Sequence, residues 1–260
     1  MNENAKKWLR TFQTNFSFAL DAKFAAMRFY RNKRGIPFET DFHALSLFPD
    51  LKEALFLDVG ANRGQSTDAM LLKTKNSLIQ QFEPNAMLCE KIARQFDGNN
   101  RVTLSKFGLG DETGERILFV PFYKQWMFDG LASFDESEAR DWLKNHLVFY
   151  KDQNLSLREI RCKTKRLDEL SLEPFFIKLD IQGYEYQALK GGEQTIKTHQ
   201  PILLIETPNE KIINYLKGFD YQFYAFTGGK FVSGVMRGQN TFFMTKDKFS
   251  LVREHIEPLR

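Results

Sequence analysis

The chain has 260 residues, 42% of them hydrophobic, with 37 Lys or Arg against 33 Asp or Glu. A globular domain with an extension can bury a full core at this length, and the composition excludes a disordered or collagen-like chain. Cys89 and Cys162 stand far apart without a CxxC pair, which excludes a disulfide scaffold and a zinc finger and favours a reducing, cytoplasmic location.

Positive charge is concentrated at the start of the chain. Residues 1–40 contain eight Lys or Arg and three Asp or Glu, a net charge of +5 against +4 for the whole chain. Apolar side chains recur there at every fourth position: Trp8, Phe12, Phe16, Leu20 and Phe24. We therefore expect residues 1–50 to form a basic helical extension. It packs either on the core or on a second copy in a homodimer, or it contacts an acidic membrane surface or a polyanion, which would make the protein membrane-peripheral.

From residue 51 onward, short apolar runs alternate with helical stretches, as is typical of βαβ units and a parallel sheet. Predicted strands cover residues 54–59, 78–82, 102–107, 175–179 and 201–205. Predicted helices cover residues 66–73, 86–96 and 184–190. Residues 221–226 and 240–244 lie on either side of Gly228 and Gly229, which favours an antiparallel pair that closes one edge of the sheet.

Residues 111–173 form an insertion between the third and fourth predicted strands. Its stretch 114–121 is expected to be one arm of a hairpin, and the spacing of Ser133 and Glu136 predicts a capped helix. Residues 119–142 include seven aromatic side chains. These form either a local hydrophobic core or a lid that stacks on a sugar.

The sharpest motif is D-V-G-A-N-R-G at residues 58–64, where a strand end turns through glycines into a helix. Glycines let a ligand approach the backbone, and a parallel sheet binds that ligand at the carboxyl ends of its strands. Asn62 replaces the middle glycine of a dinucleotide fingerprint, and Asp58 suits a zwitterionic or cationic ligand better than a pyrophosphate. Glu83 ends the second strand, where a carboxylate can accept both hydroxyls of a ribose. Together these residues indicate a site for S-adenosylmethionine (SAM).

Further motifs follow in order: F-E-P at 82–84, G-L-G-D-E-T-G at 108–114, L-D-E-L at 167–170, I-K-L-D-I-Q-G-Y-E at 177–185 and L-K-G at 189–191. With residues 58–64, they make the chain resemble the FkbM family of SAM-dependent methyltransferases. The resemblance implies an α/β, class I methyltransferase, Rossmann-like fold with a seven-stranded, mostly parallel sheet, helices on both faces and the antiparallel C-terminal pair. It places a methyltransferase domain at residues 51–260, in which 111–173 is an insertion on the substrate side.

The resemblance also implies methyl transfer from SAM to a hydroxyl of a sugar, glycolipid, glycan or polyketide-like small molecule. The residues expected to contact SAM are Asp58, Gly60, Ala61, Asn62, Gly64, Ser66, Glu83, Pro84, Asn85, Gly108, Leu109 and Asp180.

A hydroxyl is a poor nucleophile until a base or a metal takes up its proton. Asp180 and Glu206 follow the fourth and fifth predicted strands, so both belong at the ligand-binding edge of the sheet. They act either as a base with an orienting partner or together as ligands of a divalent cation such as Mg²⁺. His146, in the insertion, is a further candidate base. Gln182 departs from the family pattern, which often has an acid at that position.

Two other functions stay open. An RNA 2′-hydroxyl methyltransferase would share the sheet, whereas the loops and Pro-Cys pair needed for base methylation are missing, so nucleic acid is not the expected partner. A non-catalytic interaction module with a SAM-type fold would use the basic extension to bind a membrane or a protein.

Overall fold

The computed structural model describes residues 2–16, 18–49 and 52–257. Residues 50 and 51, where the sequence places the boundary between the extension and the methyltransferase domain, lie outside the described residues. The last three residues of that domain, 258–260, lie outside them as well.

Strands in the described residues form two sheets, one of nine strands and one of four. In chain order the strands are β1 Leu55–Val59, β2 Leu78–Phe82, β3 Val102–Ser105, β4 Gly108–Leu109, β5 Gly114–Tyr123, β6 Trp126–Met127, β7 Leu155–Lys165, β8 Pro174–Leu179, β9 Ile202–Glu206, β10 Gln222–Thr227, β11 Lys230–Ser233, β12 Asn240–Met244 and β13 Ile256–Glu257. The helices are α1 Glu3–Gln13, α2 Ala19–Arg34, α3 Gln65–Lys73, α4 Ala86–Gln95, α5 Glu136–His146, α6 Glu185–Gly191, α7 Glu193–His199, α8 Glu210–Lys217 and α9 Lys246–Ser250.

The central sheet confirms the predicted α/β fold class. Its strand order is β13-β11-β10-β12-β9-β8-β1-β2-β3, and neighbouring strands from β3 to β9 run parallel. The predicted antiparallel pair is present as β10 and β12. The strand number differs from the predicted seven within the described residues, because β11 pairs with β10 and β13 pairs with β11 beyond that pair.

Alternate side chains of the central strands point to opposite faces of the sheet. Leu57 and Ile177 pack with α6, α7 and α8 on one face. Phe56 and Phe176 pack with Phe42 and with α3 on the other. Full burial of such a side chain contributes about 1.5–3 kcal/mol to stability. This packing holds the helices on both faces against the central strands.

The N-terminal extension divides into an outer and an inner part. None of the described side chains of α1 is buried, and Leu20 is the buried side chain of α2. A 3-10 helix at Thr40–Leu47 follows, and its Phe42 and Ala44 have no exposed surface. The inner part of the extension is therefore integral to the hydrophobic core of the protein.

The insertion builds the second sheet, in the order β4-β7-β5-β6. β5 turns back into β6 as a hairpin, which confirms the predicted hairpin arm, and β5 also forms a long antiparallel pair with β7. The predicted strand 102–107 ends earlier, at Ser105, and the following strand β4 pairs with β7 in the second sheet. Helix α5 is capped by Asp135, which accepts from the amides of Ser137 and Glu138. The prediction of Ser133 as the cap was wrong, since its hydroxyl donates to the Gln182 carbonyl.

Aromatic side chains of the insertion form the predicted local hydrophobic core, whereas the sugar-stacking lid stays a prediction. Phe122, Tyr123 and Trp126 are buried and pack in hydrophobic clusters of the insertion. Phe134 instead lines a cavity at the edge of the central sheet.

Candidate active site

A cavity of about 250 Å³ lies where β1, β2, β8 and β9 end at their carboxyl edge. The loops that follow these strands supply its floor. Leu118, Asp129 and Phe134 of the insertion supply one wall, and Phe38 and Glu39 of the extension supply another. The extension, the methyltransferase domain and the insertion therefore all contribute residues to this cavity.

The loop after β1 requires glycine at two positions. Gly60 has a φ of 85°, and a Cβ atom there would lie 2.0 Å from the Asp180 carbonyl oxygen. Gly64 has a φ of 73°, and its Cβ would lie 2.5 Å from the Phe96 ring. The amides of Gly60 and Ala61 both donate to the Phe82 carbonyl. These contacts hold the loop close to β2 and β8, with Gly60, Ala61 and Asn62 in the cavity wall.

Glu83 is 5% exposed and lines the cavity. Its Oε2 accepts from the Asn62 amide at 2.8 Å, and its Oε1 accepts from the Asn85 amide at 2.8 Å. Burial raises the pKa of Glu83 to about 8, although the two amide donors act in the opposite direction. Each oxygen retains a lone pair for a further donor, which fits the two hydroxyls of a ribose.

Asp58 does not line the cavity. It instead stabilises the loop after β1. It has no exposed surface, and its carboxylate accepts from the hydroxyls of Ser66 and Thr67. Burial raises the pKa of Asp58, while these two hydroxyl donors lower it. Asp58 thereby anchors the first turn of α3, and Ser66 is the member of this group that reaches the cavity.

The other residues predicted to contact SAM lie near Glu83. Some line the cavity, and others are buried behind its wall. Pro84 lines the cavity, whereas Asn85 is fully buried and caps α4 through its side chain. Gly108 and Leu109 form β4 and are buried. A Cβ on Gly108 would lie 3.2 Å from the Phe134 ring, so Gly108 permits the close approach of a cavity-lining aromatic.

Asp180 and Glu206 meet in the cavity as their places after β8 and at the end of β9 predict. The Gln182 side-chain amide donates to Asp180 Oδ1 at 2.9 Å and to Glu206 Oε2 at 2.9 Å. Burial and the neighbouring Asp180 raise the pKa of Glu206. Burial acts on Asp180 as well, but the Lys178 ammonium and hydrogen bonds from Glu206 and Gln182 lower its pKa. The pair therefore holds one proton at neutral pH, on Glu206.

Lys178 is a site residue that the sequence reasoning missed. It is 2% exposed, and its Nζ lies 3.3 Å from Asp180 Oδ2. Burial alone would lower the pKa of Lys178, but the surrounding Asp180, Glu39, Glu206 and Asp58 raise it. The sequence signal for Lys178 was a lysine within an otherwise apolar central strand, because a buried lysine needs acidic partners.

Arg63 also escaped the sequence reasoning. It is 7% exposed and joins three segments, because it donates to Asp129 of the insertion and to Asp21 of α2. Its guanidinium carbon lies 4.4 Å from the centroid of Phe24. The loop after β1 is thus tied to both the insertion and the extension.

His146, the last residue of α5, lines a separate cavity. Its ring stacks on Trp142 with centroids 3.7 Å apart, and its Nδ1 lies 2.7 Å from the Trp142 carbonyl oxygen. Gln182 lines both cavities. The structure therefore brings Asp180 and Glu206 together but holds His146 apart from them.

The two carboxylates do not fit a divalent cation well. Both oxygens of Asp180 face donors, the Gln182 amide on one side and the Lys178 ammonium on the other. Across residues 2–16, 18–49 and 52–257, no group of three or more His, Cys, Asp or Glu is arranged to hold a metal ion. A cation would have to displace two N–H donors to reach Asp180.

The family model of the methyltransferase FkbM domain matches residues 58–223, more than half of the chain. Among solved structures, a methyltransferase FkbM from Methylobacillus flagellatus KT is 20% identical, with a TM-score of 0.46 over 74% of this chain and 43% of that chain. The chain therefore spans less than half of that relative. An rRNA methylase from Streptococcus thermophilus is 11% identical, with a TM-score of 0.42 over 80% of this chain and 94% of that one.

A putative methyltransferase from Streptococcus mutans in complex with SAH is 12% identical, with a TM-score of 0.41 over 80% of this chain and 96% of that one. No curated protein sequence matches the chain. The match to the family model is decisive: the chain belongs to the FkbM family of SAM-dependent methyltransferases.

Proposed function

We propose that this protein transfers a methyl group from SAM to a hydroxyl of a sugar, a glycolipid, a glycan or a polyketide-like small molecule. The observation that carries this proposal is the shared cavity. Glu83 and the glycine loop line it, and so do Asp180 and Glu206, which Gln182 bridges. A cofactor site and a pair of carboxylates that can take a proton therefore face the same space.

When bound, SAM supplies a methyl group on a sulfonium centre. Methyl transfer is an in-line displacement, in which the acceptor oxygen bonds to the methyl carbon while the bond from carbon to sulfur breaks. Glu83 would hold the ribose, and the backbone of Gly60, Ala61 and Asn62 would bound the rest of the cofactor. Alignment of oxygen, carbon and sulfur is the main task of these residues.

The hydroxyl proton of the acceptor goes to the carboxylate pair. Glu206 has the raised pKa of the two, so its ionised form is the stronger base. Asp180, kept ionised beside Lys178, would accept a hydrogen bond from the acceptor and orient it. Gln182 holds the two carboxylates at a fixed separation through its side-chain amide.

The test is an acceptor search with methyl-labelled SAM. Purified protein is incubated with separate polysaccharide, lipid and RNA extracts, and mass spectrometry follows the mass of one added methylene. We expect label in a hydroxyl of the polysaccharide or lipid fraction, and Asp180→Asn abolishes it while SAM binding stays within a few-fold. Label in RNA would favour the 2′-hydroxyl alternative, and label in none of the fractions would favour a non-catalytic module.

Metal dependence is tested on the same reaction. Because both Asp180 oxygens already face N–H donors, we expect methyl transfer to continue at full rate in excess chelator. Loss of transfer in chelator, with recovery on addition of Mg²⁺, would show that Asp180 and Glu206 bind a cation instead.

A further inference from the structure

Exposed aromatic side chains of the outer extension and of the insertion lie in two groups of contacting rings. We define the aromatic ridge as Trp8, Phe12, Phe16 and Phe18 of the extension together with Phe149 of the insertion. Their exposed fractions are 56%, 61%, 39%, 83% and 76%. Ring centroids lie 5.6 Å apart for Trp8 and Phe149, 5.0 Å for Phe12 and Phe16, and 6.1 Å for Phe16 and Phe18. An exposed patch of touching aromatic rings marks an interaction surface.

Helix α1 directs one apolar face outward. At about 100° per residue, Trp8, Leu9 and Phe12 fall within about 100° of one another around its axis. Leu9 is 45% exposed, so this face is largely open apart from the contact of Trp8 with Phe149 of the insertion. Other side chains of α1 also pack on the insertion, where the Thr11 hydroxyl accepts from the Val148 amide and Arg10 lies over Trp142.

Positive charge accompanies the exposed rings. Helix α1 carries Lys6 and Lys7, while its third cation, Arg10, is paired with the one acid of the helix, Glu3. At the end of α2, Lys33 lies 6.0 Å from the ring centroid of Phe29, and Phe29 is 70% exposed. The net charge of residues 1–40 is +5, while the other residues sum to −1. An anionic surface would therefore attract the protein by this extension first.

We propose that the aromatic ridge and the basic residues of the extension form a docking surface for an anionic lipid bilayer. Exposed aromatic rings enter the interface between headgroups and acyl chains, while Lys and Arg side chains pair with anionic headgroups. No described helix is both long and apolar enough to cross a membrane, so the docking is peripheral. This inference does not depend on which acceptor the enzyme methylates.

Charge favours a bilayer over a second copy of the chain. Two copies meeting ridge to ridge would bring two extensions of net charge +5 together, and like charges across an interface oppose association. An anionic bilayer complements the same charge.

The test is co-sedimentation of the full chain with vesicles of phosphatidylcholine alone or mixed with phosphatidylglycerol. We expect binding to the mixed vesicles and little to the neutral ones. The double variant Trp8→Ser and Phe12→Ser should bind about tenfold more weakly. Lys6→Gln with Lys7→Gln should weaken binding by about fivefold for each charge removed. The matched control is Met236→Ser with Leu251→Ser, since these side chains are 51% and 42% exposed outside the ridge.

Calorimetric SAM binding shows whether each variant is folded, and sedimentation velocity gives its oligomeric state. Binding of the control and loss of binding in the ridge variant support the proposal. Absence of wild-type binding to the anionic vesicles overturns it, as does equal binding by the ridge variant and the wild type. A wild-type dimer that the ridge variant converts to a monomer, without vesicle binding, would instead make the ridge a self-association surface.

Discussion

Lys178, Asp180, Gln182 and Glu206 form one hydrogen-bonded and ion-paired group at the ends of two strands. A buried carboxylate is costly unless cations or N–H donors surround it, and Lys178 and Gln182 supply both to Asp180. The same arrangement lowers the pKa of Asp180, which favours its ionised form, and raises the pKa of Glu206, which favours its neutral form. In the proposed mechanism, these different pKa values give the two carboxyls different tasks in proton transfer.

The pH dependence of methyl transfer follows from Glu206. Its pKa is raised by burial and by Asp180, so below that raised value Glu206 is neutral and accepts no proton. We expect kcat/KM to rise with pH through a value above the ordinary range of a glutamic acid. In Glu206→Gln this ionisation should disappear and the rate should fall. An unchanged pH profile in the variant would place the base elsewhere.

Lys178 is expected to matter for stability as well as for the site. Lys178→Met keeps the volume but removes the cation beside Asp180, whose side chain is 32% exposed. We expect a loss of about 1–3 kcal/mol in the free energy of unfolding, the range for a charged group that loses a hydrogen-bonding partner. Denaturant unfolding measures this change, and Lys190→Met, at an exposed position of α6, is the control. A loss below about 1 kcal/mol in Lys178→Met would show that solvent compensates Asp180.

At the scale of elements, the loop after β1 is positioned by segments distant in sequence. Arg63 links this loop to α2 through Asp21 and to the insertion through Asp129, and Asp180 of the loop after β8 approaches Gly60. The cofactor wall therefore depends on the extension and the insertion both being docked.

Arg63→Met tests this dependence. The variant leaves Asp129 without its partner, and Asp129 has a side-chain exposure of 9%. We expect a loss of about 1–3 kcal/mol in stability and weaker SAM binding, because the loop loses its restraint. Calorimetry and thermal unfolding report the two effects. Arg94→Met, whose side chain is 77% exposed, should change neither. If Arg63→Met binds SAM as tightly as the wild type does, the loop after β1 keeps its conformation without Arg63.

The main strands and helices could be predicted from the sequence, because β1, β8 and β9 are apolar runs, α3 follows the glycine turn after β1, and α4 begins after Asn85, which caps it. Strands β11 and β13 could not be predicted from the sequence. β13 has only two residues, and it forms by pairing with β11. Asp180 and Glu206 were predicted to meet because parallel strands end at one edge. The burial of Asp58 depends on side-chain directions that no local pattern encodes, whereas a lysine within an apolar strand was a sequence signal for the ion pair of Lys178.

At the scale of the whole molecule, the cavity is assembled from three segments. Phe38 and Glu39 come from the extension, Phe134 comes from the insertion and the polar floor comes from the parallel sheet. The extension thus has two roles, an inner part that closes the cavity and an outer part that presents the aromatic ridge.

The most direct test of this account is titration calorimetry of SAM into the wild type and Glu83→Gln, at a pH above the raised pKa of Glu83. We predict that the wild type binds and that the variant binds more weakly by about 1–3 kcal/mol, the loss expected for hydrogen bonds to a charged group. Asp180→Asn should retain affinity within a few-fold. Equal affinity of Glu83→Gln and the wild type, or no binding of SAM by the wild type, would contradict the placement of the cofactor in this cavity.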